Sequence, residues 1–214
     1  MQVNAYRPNQ NQVSFSSIKI SPTVVRDLKG LPVKAWFSKL SLSDPLDAKV
    51  MKRVNDFWKE EKGIYFANDI YEKFKAGQPV YALELDSPEG SLYDKLLGLA
   101  SPHIQNDTFV LDFLQSSPNS SFEAAKKNRK FKGAGTALMY GLVKIAEQEK
   151  AKLFKLCSGA ANAFYKTLGM KKENNLMTFN QSEMGDFLKR QKTEFDLLLQ
   201  KQPAKTDGMA LRCS

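Results

Sequence analysis

From residue 79 onward the hydrophobic pattern of this chain changes period twice, and few folds accommodate that order. "PVYALELD", "KLLGLASPHI" and "DTFVLDFLQ" are short apolar runs parted by turn residues, as expected of three antiparallel strands. The polar stretch "SSPNSSFEAAKKN" then reads as a loop. A long helical run follows from about Gly133 to Glu149, then a strand "KLFKLCS" and a short helix "AANAFYKTL" stopped by Gly169. "KKEN" and "LMTFN" predict a closing pair of strands. Residues 182–201 predict a last amphipathic helix, with Asn180 and Glu183 placed as a capping box. Met184, Phe187, Leu188, Phe195 and Leu198 fall on one of its faces. This order predicts a mixed, mostly antiparallel α/β (α+β) sheet with helices on both faces and an added C-terminal helix.

The first third is less regular. Residues 1–13 are rich in Asn and Gln, carry no period and read as a flexible tail. "VSFSSIKI" alternates weakly and predicts a first strand from Ser14 to Ile20, ended by Pro22. From Ala35 to Glu61 the pattern reads as helical, interrupted near "SLSDPL". Ser43 or Asp44 would cap the second piece, with Pro45 in its first turn. Val50, Val54, Phe57 and Trp58 then recur at the spacing of a core-facing stripe. "ANDIYEKFKAG" predicts a further short helix ending at Gly77.

The chain has 214 residues, enough for one domain with a sizeable core, or one domain and an extension. No apolar stretch approaches the ~18–20 residues of a membrane span, and the N-terminus lacks the charge and apolar regions of a secretory signal. Lys and Arg outnumber Asp and Glu by 32 to 23, a net charge of +9 that favours an anionic partner. Cys157 lies in an apolar run, Cys213 is next to last, and His103 is the one histidine. That usage favours a reducing, cytoplasmic setting without a disulfide, and no Cys/His cluster has the spacing of a metal site.

The basic charge concentrates where the long helix begins, in "NRKFKGAGTALMYGLV". A helix N-terminus offers unpaired N–H groups and a partial positive charge. Gly133 and Gly135 let a ligand approach the backbone closely. Arg129, Lys130 and Lys132 add full charges, which together suits a pyrophosphate. A P-loop would need GxxxxGK[ST], which is missing. A dinucleotide-binding turn would need a third glycine where Leu138 stands, and a strand running straight into the turn. A basic helix start whose glycines serve only the turn remains the plain alternative.

The order of strand, K/R-x-x-G-x-G, long helix, strand and A-x-x-x-Y-x-x-x-G resembles the GNAT superfamily of acyl-CoA-dependent N-acetyltransferases. The first motif reads Lys130-Phe131-Lys132-Gly133-Ala134-Gly135, with Lys in the family's Gln/Arg position. In the second, Ala161, Tyr165 and Gly169 fall in register, while Ser158 stands where Asn is common and Met170 where Phe is common. The resemblance covers roughly 79–180. It implies a GNAT-like domain over 14–180, followed by a C-terminal helix and tail over 181–214. It implies that Arg129, Lys130, Phe131, Lys132, Gly133, Ala134, Gly135 and Thr136 cradle the pyrophosphate of acetyl-CoA. The main chain of Phe113, Leu114 and Gln115 would pair with the pantetheine arm, and Ser158 or Asn162 would supply a side-chain contact. The loop between residues 115 and 129 is longer than is usual in the family.

The implied reaction is direct attack of a primary amine, of a small molecule or a peptide, on the thioester. Tyr165 would protonate the departing thiolate; otherwise it is a core aromatic packed beside Ala161. A general base has no fixed motif in this family. Asp112, which interrupts the apolar "FVLDFL", and Glu84 in "YALELD" are the candidates, with His103 after Pro102 as a surface-turn alternative or water as the carrier. No metal is implied. Two readings from other classes stand beside this one. The first is a non-catalytic CoA-binding or protein-interaction module of the same fold. The second is nucleic-acid binding through "KKNRKFK", disfavoured because Phe131 is the one aromatic available for stacking. The helices of 35–75 and 182–201 would wall the acceptor cleft or mediate homodimerisation, and no membrane partner is implied.

Overall fold

The computed structural model describes residues 18–61, 64–87, 92–118, 120 and 130–200. Its first two elements are strands. β1 (Ile18–Asp27) and β2 (Pro32–Lys39) form a hairpin around Gly30, whose φ of +83° is open to glycine and costly for other residues. This corrects the sequence reading at both elements. Pro22 does not end β1; it pairs with Trp36 in mid-strand. Among the described residues the outer edge of β1 is covered only at Arg26 and Asp27, so the missing N–H of Pro22 leaves no ladder bond unmade there. Likewise Ala35–Lys39 belongs to a strand, not a helix: Ala35 and Phe37 are buried on one face and Lys34, Trp36 and Ser38 alternate to the other. Ser14–Ser17 and the tail before them lie outside the described residues.

Asp44 caps α1 (Pro45–Trp58), accepting bonds from the N–H groups of Leu46 and Asp47. Its buried stripe is Val50, Met51, Val54 and Trp58; Phe57 is exposed, so Met51 takes the place expected of Phe57. Next come α2 (Ala67–Lys75), β3 (Tyr81–Leu85), the single turn α3 (Leu92–Lys95), β4 (Leu96–Gln105) and β5 (Thr108–Ser116). β6 (Phe131–Lys132), α4 (Ala134–Gln148), β7 (Leu153–Cys157), α5 (Asn162–Thr167), β8 (Lys171–Glu173), β9 (Leu176–Asn180) and α6 (Gln181–Gln200) follow in the described residues. The strands make one sheet in the order β6-β1-β2-β3-β4-β5-β7-β9-β8, antiparallel throughout except where β5 meets β7. The architecture is thus a mixed, mostly antiparallel sheet with helices on both faces and an added C-terminal helix.

Each face has its own core. Phe37, Leu83, Leu97, Phe109, Leu138, Leu142, Phe154, Met177 and Phe187 pack between the sheet, α4 and α6. Met51, Val54, Trp58, Ile70, Phe74, Leu96 and Leu99 pack between the other face, α1 and α2. α6 opens on the expected reciprocal cap. The Asn180 N–H donates to Glu183 Oε2 at 2.9 Å, and the Glu183 N–H to Asn180 Oδ1 at 3.0 Å. Among the described residues no helix is long and apolar enough to cross a membrane.

One buried charge is in tension with this packing. Asp47 is fully buried; its Oδ2 accepts from the Ser41 N–H at 2.8 Å, while Oδ1 has no partner among the described residues. Burial is the main reason its carboxyl is pushed up to about 6. The folded chain therefore binds this proton more tightly than the unfolded one. The stabilisation is complete below about pH 4 and is lost as pH rises through 6. Asp47→Asn keeps an acceptor for Ser41 and removes the charge. It should raise stability by about 2 kcal/mol at pH 7.5 and by almost nothing at pH 4, measured by urea denaturation.

Candidate functional site

β5 and β7 run parallel and pair only from Thr108 with Leu153 to Leu111 with Leu156. Beyond that point, among the described residues, β7 pairs through Cys157 with β9 alone, while β5 continues to Ser116 alongside β4. The two central strands therefore part in a V. A bulge sits at the vertex: Ser101 pairs with Phe113 and Pro102 with Leu111, leaving Asp112 as the extra residue. Pro102 has no N–H to give the ladder there, a sequence feature that suits the irregularity.

The alternation of an antiparallel ladder decides which groups face the opening. The Ser117 N–H bonds the Leu97 carbonyl at 2.9 Å, so the main chains of Ser117, Gln115 and Phe113 point to β4. Those of Leu114 and Ser116 point into the V. Of the three residues expected to offer main-chain bonds, Leu114 faces the opening while Phe113 and Gln115 are turned away. Ser116, whose carbonyl also accepts from Gln115 Nε2 at 3.0 Å, faces it as well and is not among the three, because bulge and register are invisible in the sequence. Gln115 has another task. Its Oε1 accepts from the N–H groups of Tyr65 and Phe66 at 2.9 and 3.2 Å, tying the α1–α2 connection to β5. Phe66 then packs on Phe113 at a ring separation of 5.4 Å.

Gly133 is the N-cap of α4 at φ +85°, a conformation L side chains rarely adopt. The first bond of the helix runs from the Ala137 N–H to the Gly133 carbonyl at 2.9 Å. The N–H groups of Ala134, Gly135 and Thr136 therefore stand outside the helical ladder, where an anion can accept from them. Lys130 and Lys132 are exposed beside this turn, and Phe131 packs on the core. The segment is more than a basic loop, because Phe131 and Lys132 form β6 on the end of β1. Arg129 lies outside the described residues.

The second motif leans on the first. A Cβ placed on Gly135 would lie 3.1 Å from Phe164 Cζ, so the ring of α5 rests against the start of α4. Phe164 was not expected, and a contact spanning this much sequence leaves no local signal. Tyr165, its neighbour at 5.0 Å between rings, is buried at 6% exposure. Its hydroxyl has no partner among the described residues. Burial alone pushes the phenol up to about 12. Ser158 donates to Asn162 Oδ1, and Asn162 Nδ2 donates to the Gly159 carbonyl at 3.1 Å, so these two side chains brace the turn before α5. Behind α5, the Arg190 guanidinium of α6 donates to the Leu168 carbonyl.

Of the carboxylates, Glu84 is buried on β3, two strands from β5, and is not brought to the V. Asp112 is at its vertex. Asp112 Oδ2 lies 2.9 Å from His103 Nδ1 and 3.3 Å from Lys73 Nζ. His103 is not on a surface turn as its neighbour Pro102 suggested, but within β4, opposite Val110. Among the described residues no group of three His, Cys, Asp or Glu could hold a metal ion.

The site thus joins a glycine-rich helix start, a strand edge with no ladder partner among the described residues and a buried phenol. No family model and no curated protein match the chain. Solved structures similar to it include the ribosomal-protein-S18-alanine N-acetyltransferase of Escherichia coli, at 16% identity over 67% of this chain and 93% of that one, with a TM-score of 0.44. A GNAT family acetyltransferase of Brucella melitensis in complex with acetyl-CoA is 13% identical over 68% and 88%, with a TM-score of 0.46. The PaiA N-acetyltransferase of Thermoplasma acidophilum, in complex with coenzyme A, is 16% identical over 68% and 98%, with a TM-score of 0.43.

Proposed function

We propose that the protein is an N-acetyltransferase that moves an acetyl group from acetyl-CoA to a primary amine by direct attack. One observation carries the reading: β5 and β7 part after Leu111 and Leu156, and the helix of Tyr165 packs through Phe164 on the glycine-rich start of α4 at Gly135. An extended arm with amide groups can pair with the edge of β5 opened there as an added strand. A pyrophosphate at its end meets the N–H groups of Ala134, Gly135 and Thr136, with Lys130 and Lys132 supplying charge.

The direction of the arm follows. Its phosphate end is held at α4, so its thioester end points down the V to the bulge at Asp112. There the amine nitrogen attacks the carbonyl carbon, the C–N bond forms and the C–S bond breaks. The Tyr165 hydroxyl, kept protonated by burial, gives its proton to the leaving sulfur.

The melting temperature with and without acetyl-CoA tests this, with adenosine as control. At a hundredfold its Kd the ligand should add ~2.7 kcal/mol, a rise of about 5–10 °C for a chain of this size. No shift at millimolar acetyl-CoA would return the glycines to a purely structural role. Stabilisation without turnover across an amine panel would instead favour the non-catalytic CoA-binding module.

Arg190 offers a separate check. It holds the end of α5 through Leu168, and Gly169 turns the chain there at φ +94°. Arg190→Ala should lower kcat by roughly tenfold through misplacement of Tyr165, leave the KM for acetyl-CoA nearly unchanged, and be partly repaired in Arg190→Lys.

A further inference from the structure

We propose that His103 accepts the proton of the attacking amine and that Asp112 is the residue that positions it, an assignment that rests on the acetyltransferase reading above. A primary amine reaches a protein near neutral pH mostly as an ammonium ion, which has no lone pair to attack with. Something at the vertex of the V must take a proton first. The bulge at Asp112 puts a carboxylate into an otherwise apolar strand at that point. The carboxylate is largely covered, its side chain 18% exposed, and two donors converge on one of its oxygens.

Those donors decide which group is the base. Lys73 Nζ and His103 Nδ1 both donate to Asp112 Oδ2, so this oxygen is already occupied as the acceptor that holds the two side chains in place. Lys73 is itself a donor in this arrangement. The imidazole is the remaining group. With Nδ1–H given to Asp112, the neutral ring carries its lone pair on Nε2, and the ring is 43% exposed, open to an arriving substrate. Asp112 thereby fixes both the tautomer and the orientation, as the carboxylate does in other histidine–carboxylate pairs.

The proton balance closes. Nε2 takes one proton from the ammonium, directly or through one water, giving the free amine and an imidazolium. The amine attacks the thioester carbon, and Tyr165 protonates the departing sulfur. The nitrogen of the new amide returns its surplus proton to the Tyr165 oxygen. The imidazolium then releases its proton to solvent, so that one ammonium and one thioester yield one amide, one thiol and one proton.

The test compares amines that do and do not need a base. Butylamine is an ammonium ion at neutral pH, whereas aniline and methoxyamine are largely free bases. His103→Gln should lose about 10²-fold in kcat/KM with butylamine and no more than about threefold with aniline or methoxyamine. His103→Ala should regain butylamine activity on addition of imidazole. The melting temperature of each variant with acetyl-CoA, expected to rise as in the wild type, separates loss of the base from loss of the fold. An equal loss with all three amines, no loss at all, or a larger butylamine-specific loss in Lys73→Met would overturn the assignment while the acetyltransferase reading stood. A wild type that acetylates none of the three and gains nothing from acetyl-CoA would overturn both.

Discussion

Tyr165→Phe should reduce kcat by at least about 10²-fold, the usual contribution of a positioned acid, while acetyl-CoA raises its melting temperature as much as it does the wild type's. The substitution removes one oxygen from a ring that is otherwise core, packed against Phe164, and that oxygen has no partner among the described residues. The cost to the fold at neutral pH is therefore small. What is lost is a proton donor held where the thiolate leaves. Because burial pushes the phenol up to about 12, the donor stays protonated throughout the ordinary working range. The alkaline limb of kcat should show no loss of this acid up to about pH 10.

The same displacement has a thermodynamic sign. The unfolded phenol ionises from about pH 10 and the folded one only near 12, so its stabilisation is present below 10 and lost as pH rises through 12. Tyr165→Phe should remove that alkaline component of the pH–stability curve. A variant with wild-type kcat would reduce Tyr165 to a core aromatic.

Much of the local structure around the candidate site is legible in the sequence, because its signals are local. The left-handed Gly133, the helix after it, the A-x-x-x-Y spacing and the Asn180–Glu183 cap each need only a few neighbouring residues, and each stands where the pattern put it. What stayed hidden depends on pairing. Pro22 reads as a strand end unless β1 is known to lie near the sheet edge. Asp112 reads as an oddity in an apolar run; only its register with Ser101 and Pro102 shows a bulge, and only the bulge explains why Leu114 and Ser116 face the opening. Phe57 and Met51 are both apolar on α1, and the neighbouring elements alone decide which is buried. His103 was misplaced for the same reason, since its partner Asp112 is contributed by the adjacent strand.

The largest loss of stability should come from a single methyl group on α4. A Cβ added at Gly141 would lie 2.3 Å from the Phe37 ring, which is fully buried and stacked on Tyr81 at 5.2 Å. Neither ring has room to move, so Gly141→Ala forces the helix off the sheet. Overpacking of this kind costs about 1–3 kcal/mol and occasionally more, against a gain of ~1 kcal/mol in helix propensity. At the upper end of that range, as an approach of 2.3 Å demands, the net loss is about 2 kcal/mol and lowers the melting temperature by roughly 4–8 °C. Gly185→Ala on α6 is the matched control, because nothing lies within 4 Å of its added methyl and only the propensity gain remains. It should melt a few degrees higher.

The two glycines thus separate packing from propensity in one chain, and a rise in both melts would refute the close approach. Function should follow the same displacement. Leu138, one turn before Gly141, reaches β4 so closely that a Cβ on Gly98 would lie 2.7 Å from its Cδ1. That contact sets the height of α4 against the strands, and with it the distance from the N–H groups of Ala134–Thr136 to the edge of β5. Gly141→Ala should therefore also weaken the stabilisation by acetyl-CoA, whereas Gly185→Ala should leave it intact.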